Sequence, residues 1–114
     1  MKSLLPLCLA AAVAGFSPPA ASATNNAAIE DAVAELGRIH GTALACKQPA
    51  LVSRARNAVQ TTVPKTRAYG EIFENVTSEA FLVQGQAVCP DAQRLARQLT
   101  EAESRLGDSV RNAQ

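Results

Sequence analysis

Apolar side chains along this chain return every three or four residues in four separate runs, the spacing of amphipathic helices. The first run covers about 26–46, with Ile29, Ala32, Val33, Leu36, Ile39, His40 and Ala43 on one face. Glu30 and Asp31 occupy its first turn, where the helix dipole favours anions. Gly37 and Gly41 each weaken a helix by about 1 kcal/mol relative to alanine. They share an edge with Ala45, which predicts the close approach of another helix there. The second run starts at Pro49 or Ala50, since proline suits a first helical turn, and Pro64 stops it. Leu51, Val52, Ala55, Val59, Thr62 and Val63 face inward; Arg56, Asn57, Gln60 and Thr61 face away.

The third run covers 65–84, with Tyr69, Ile72, Phe73, Val76, Ala80 and Val83 on one face. Phe81 and Leu82 fall off that stripe, which predicts burial on more than one side near the helix end. In the fourth run Pro90 takes the first helical position and Asp91 lies just inside. Leu95, Leu99, Ala102 and Leu106 form a narrow seam, and Arg97–Glu101 and Glu101–Arg105 are spaced for surface pairing. Gly107 is the candidate C-cap, leaving 108–114 as a frayed end. The predicted fold is all-α, a small four-helix bundle, antiparallel or irregular, because four one-sided helices on short connections must bury their stripes together.

Ahead of the helices lies a three-part export signal. Met1 and Lys2 are its basic end, the stretch 4–16 its apolar run, and Ala21-Ser22-Ala23 its small-x-small cleavage pattern. Cleavage is expected after Ala23, with a cut two residues away as the nearest alternative. The apolar run is well short of the about 20 residues that span a bilayer, so no stable membrane insertion is expected after cleavage. Cys8 follows Leu7 inside the apolar run and lacks the preceding small residue of a lipid-anchored cysteine. The expected organisation is a signal peptide over 1–23, a helical domain over 24–106 and a flexible tail over 107–114. The mature protein is expected in the periplasm or outside the cell.

Cleavage removes Cys8 and leaves Cys46 and Cys89. In an oxidising compartment an even pair in a small domain reads as a disulfide. A thiol-redox role is the lesser reading. Lys47 adjoins Cys46 and Cys89 precedes a helix start, both settings that lower a thiol pKa, yet there is no C-x-x-C.

Composition removes several functions. Of 11 Lys and Arg against 10 Asp and Glu, Lys2 leaves with the signal, so the mature chain is balanced and unsuited to general polyanion binding. Tryptophan is absent, so stacking on nucleic-acid bases is poorly supplied, and no nucleic-acid partner is expected. One histidine and two cysteines do not make a zinc site. There is no nucleophile elbow, phosphate loop or cofactor motif, so neither an enzyme nor a cofactor is expected.

Two features could carry a function. His40, the only histidine, sits on the apolar stripe of the first helix and is a candidate pH-sensitive group. Between 36 and 70 there is no acidic residue, but there are Arg38, Lys47, Arg54, Arg56, Lys65 and Arg67. Arg54, Arg56, Lys65 and Arg67 are the candidate binding surface for an acidic partner. If they are instead neutralised internally, Glu71, Glu74 and Glu79 are the expected partners. Asn75-Val76-Thr77 matches a glycosylation sequon, relevant only in a eukaryotic secretory pathway.

The plan of a small, exported, helical domain with one disulfide is similar to that of the periplasmic acid-stress chaperones, in size and layout. That resemblance implies a holdase. The balanced mature charge does not supply the carboxylate excess that an acid trigger needs. The leading expectation is a non-enzymatic interaction module of the cell envelope that binds a protein or small ligand. A stress chaperone is the alternative and a thiol-redox protein the third.

Overall fold

The computed structural model describes Gly15 and residues 20–114, with side chains from Asn26 onward. The expected signal segment 1–23 therefore lies outside the described residues, apart from Gly15 and the backbone from Ala20. Four helices follow: α1 (Ala20–Ala45), α2 (Pro49–Thr62), α3 (Arg67–Gln84) and α4 (Ala92–Asn112). No strand occurs among the described residues.

α1 is the hub, packing against each of the other three helices, and α2 also packs on α4. All seven residues of its expected stripe are buried, with Val33, Leu36 and Ile39 wholly so. Leu51 and Ala55 of α2, Phe73 of α3, and Leu95, Leu99, Ala102 and Leu106 of α4 complete the core with Val63. The α3 backbone comes close to that of α1 but not to those of α2 and α4. The edge of Gly37 and Gly41 makes that contact possible. A Cβ on Gly37 would stand 2.9 Å from the Phe73 carbonyl oxygen. One on Gly41 would stand 2.8 Å from the Ala80 Cβ and 3.0 Å from the Phe81 amide nitrogen. Only glycine lets the two backbones approach so closely.

The helix ends differ from expectation in ways that side-chain chemistry explains. α1 begins at Ala20, six positions before the expected 26, through an alanine-rich stretch of high helix propensity. Thr66 caps α3, its hydroxyl accepting from the Tyr69 amide at 3.3 Å, so α3 starts two residues after Lys65. Asp91 is outside α4 as its cap, its Oδ1 accepting from the Arg94 amide at 2.8 Å, which places Pro90 before the helix rather than in it. Gly107 does not end α4. The helix continues to Asn112 because Val110 extends the apolar seam onto the core and Arg111 pairs with Asp108. The segment 107–112 is thus helix and not a frayed tail. The Arg97–Glu101 and Glu101–Arg105 pairs do not form; among the described residues the α4 side chains in ion pairs are Glu103, Asp108 and Arg111.

α1 ends in a Schellman turn. The Gln48 amide donates to the Ala43 carbonyl at 2.9 Å, and the Lys47 amide to the Leu44 carbonyl at 3.3 Å. Lys47 takes the left-handed position that glycine usually fills, with φ 57°. This turn aims Cys46 at Cys89, whose Cα lies 5.8 Å away, and the two form a disulfide. The bond ties the C-terminal end of α1 to the segment that leads into α4. Its sequence separation of 43 corresponds to about 4 kcal/mol of unfolded-state entropy on the chain-entropy model.

Candidate functional site

The α2 and α3 backbones stay apart, and a cleft of about 410 Å³ opens between them. α1 supplies its floor through His40, beside Phe73 of α3 and Val59 of α2. His40 is only 4% exposed, and its ring lies 4.8 Å from the Phe73 ring, tilted by 39°. Both ring nitrogens have partners. Arg56 Nη2 stands 3.5 Å from Nε2, and Thr77 Oγ1 lies 3.1 Å from Nδ1. A guanidinium has no acceptor, so Nε2 accepts a long hydrogen bond, and the proton sits on Nδ1 and is donated to Thr77. That arrangement describes a neutral imidazole. Burial pushes the His40 pKa below its ordinary 6.5, and the positive charge of Arg56 adds to the effect.

The four candidate surface cations have different surroundings. Arg54 reaches to α4, where its Nη2 donates to Glu103 Oε1 at 2.6 Å and to Thr100 Oγ1 at 3.1 Å, and its Nε to Glu103 Oε2 at 3.3 Å. The carboxylate that neutralises it therefore comes from α4, not from Glu71, Glu74 or Glu79 of α3. The Glu103 hydrogen bonds hold the Arg54 pKa above its ordinary value. Arg56 turns the other way, toward the cleft, and among the described residues makes no ion pair. Lys65 lies at the α2–α3 junction beside Val63 and Thr66, and Arg67 opens α3; both are exposed. Arg38, also in the acid-free stretch, is paired with Glu35 at 2.7 Å.

A second feature lies at the disulfide end. Phe81, Leu82 and Val83 are 46%, 69% and 71% exposed, and Val88 beside Cys89 is 94% exposed. The expectation that Phe81 and Leu82 are buried on two sides, and Val83 on the main face, is overturned. Burial on several sides needs several neighbouring helices, and α3 has one. The loop that carries Val88 is nonetheless ordered by its neighbours, with Gln84 Nε2 donating to the Ala87 and Val88 carbonyls at 3.4 and 3.1 Å. Sequence reasoning missed this surface because period alone does not say how many helices flank an element.

Among the described residues no cluster of three or more His, Cys, Asp and Glu side chains is placed to hold a metal ion, and no helix is long and apolar enough to cross a membrane. Comparison with protein-family models, with curated proteins and with solved structures found no match in any of the three.

Proposed function

We propose that this chain is the precursor of a small exported protein, an irregular helical bundle cleaved after Ala23, that acts in the cell envelope by binding a protein partner rather than by catalysis. The observation that carries this reading is the exposed apolar end formed by Phe81, Leu82, Val83 and Val88. Four large apolar side chains held in water near one helix terminus lose free energy unless something covers them. A disulfide beside them limits how far that end can rearrange to hide them. The same bond agrees with an oxidising compartment, and the 1–23 segment has the layout of an export signal.

The test compares native-envelope complexes of the wild type with those of Leu82→Asp and Val88→Asp. Exposed positions tolerate charge, so both variants should keep the helical circular dichroism and the disulfide. The wild-type protein should start at Thr24 and carry one partner in fixed stoichiometry, and both variants should release it. Retention of that partner by both variants would overturn the assignment of this surface. Suppressed aggregation of many unrelated clients, with no fixed partner, would favour a holdase.

A further inference from the structure

We propose that the cleft between α2 and α3 binds a small monocarboxylate with a compact apolar body, its carboxylate on the Arg56 guanidinium and its apolar part over Phe73 and Val59. This site is separate from the apolar end of α3 and does not depend on a protein partner there. Its volume, about 410 Å³, lies within the range of small-molecule sites. It is formed by three helices, so the scaffold rather than a loop fixes its shape.

The ligand class follows from the charges. Among the described residues, Arg56 is the one cation that lines the cleft and Glu74 the one carboxylate. Arg56, like Arg67, Arg94, Arg97 and Arg105, holds no carboxylate among the described residues, but it also rests on a neutral imidazole. That contact uses one of five guanidinium donors, and the rest form a planar fork matched to a carboxylate. It also orients the fork, because the His40 lone pair is fixed by the proton on Nδ1 and its bond to Thr77. Glu74 on the α3 wall sets the limit on ligand charge. One cation beside one carboxylate tolerates a monoanion better than a dianion, such as inorganic phosphate at pH 8. Phe73 and Val59 supply the apolar part of the lining for the ligand body, with Gln60, Thr77 and Ser78 as polar positions around it.

The single histidine makes the site directly readable. In the intact, oxidised, untagged protein, the nuclear magnetic resonance signal of the His40 Cε1–H reports on the cleft floor alone. Phenylacetate should shift that signal saturably at concentrations below about 10 mM, in the range of weak small-ligand binding. The neutral analogue 2-phenylethanol should bind at least about tenfold more weakly, the effect of one lost charge-assisted hydrogen bond. Arg56→Gln should weaken phenylacetate by a similar factor while the helical spectrum is kept. At pH 8, where phosphate is mainly the dianion, inorganic phosphate should bind more weakly than phenylacetate, and Glu74→Gln should narrow that difference. Equal binding of phenylacetate and 2-phenylethanol, undiminished binding by Arg56→Gln, or no saturable shift would overturn the proposal. Tighter binding of phosphate than of phenylacetate would overturn the monocarboxylate assignment. Should Arg56→Gln fail to fold, the comparison of the two phenyl ligands on the wild-type protein still decides.

Discussion

The backbone of Gly41 lies directly against the Thr77 carbonyl, with no room for a side chain between α1 and α3. The same turn of α3 presents the Thr77 hydroxyl to His40, one residue along α1. A steric contact and a polar one thus fix the register of these two helices at the same level, and the cleft floor depends on both.

The glycines give opposite predictions in the two helices. Propensity alone says that Gly41→Ala stabilises α1 by about 1 kcal/mol. Packing opposes it, because the new methyl meets backbone atoms that cannot move independently. Gly41→Ala should therefore lower stability by about 1–3 kcal/mol, the usual cost of overpacking. Gly70 in α3 has open space where a Cβ would go, so Gly70→Ala should raise stability by about 0.5–1 kcal/mol. Urea denaturation of both variants checks the contrast; a gain in both would mean that α1 and α3 do not pack through this edge.

Much of the helical framework was legible because period and caps are local. The whole stripe from Ile29 to Ala43 is buried, and the glycine edge indeed meets another helix. Where local signals compete, the pattern along the chain misleads. Gly107 resembles a C-cap, but Val110 one turn on retains a place against the core, and a single glycine weakens a helix without ending it. Long-range features left no trace in the spacing. Nothing near Arg54 points to Glu103, and the outward set of α2 gives no sign that Arg56 reaches back to His40. The exposed end of α3 depends on which helices are neighbours, which the apolar pattern does not encode.

Stability should depend on pH through His40. Its folded-state pKa is held below the ordinary 6.5 by burial and then by Arg56, so below 6.5 the unfolded chain binds more protons than the folded one. The stabilisation is complete above pH 6.5 and is lost as pH falls from there toward the folded value. Among the described residues, Arg56 on α2 and Glu74 on α3 are the charged groups lining the cleft beside the ring. Thermal melts should show the midpoint falling between pH 7.5 and 5.5, and His40→Gln should flatten that dependence. Glu35, held below its ordinary 4.5 by its hydrogen bond to Arg38, acts only at lower pH and leaves this window to His40. An unchanged slope in His40→Gln would exclude the histidine as its source.

Lys47 adopts a left-handed backbone that disfavours a Cβ by about 1 kcal/mol. Lys47→Gly should relieve that cost, partly offset by the greater freedom of glycine in the unfolded chain, for a net gain of up to about 1 kcal/mol. The side chain is exposed and no ion pair involves it among the described residues, so nothing else is removed. Chemical denaturation with the disulfide intact is the measurement; a clear loss would mean that the lysine side chain itself supports the turn.

Removing the Cys46–Cys89 bond should act mainly through the unfolded chain. A Cys46→Ala, Cys89→Ala double variant restores the freedom of the loop the bond closes, and stability should fall by up to about 4 kcal/mol. The core stripes of α1 and α4 do not include either cysteine, so the helical spectrum at low temperature should persist. A melting temperature equal to that of the oxidised wild type would show that the bond does not stabilise the domain.

Leu99 and Leu82 place the same side chain in opposite surroundings. Leu99 is wholly buried in the α4 seam between Leu95 and Ala102, where truncation strips packing from the core and leaves a cavity. Leu99→Ala should cost about 2–5 kcal/mol. Leu82 is 69% exposed on a helix that touches only α1, so Leu82→Ala should change stability by no more than about 0.5 kcal/mol. Alanine's higher helix propensity even offsets part of the slight reduction in packing. The comparison also separates folding from binding, because a residue that contributes little to the free domain is available to contribute to a complex. Denaturation midpoints of the two variants give the answer: a destabilisation at Leu82 comparable to that at Leu99 would mean that the end of α3 is packed in the free protein, and the apolar surface assigned to a partner would no longer exist.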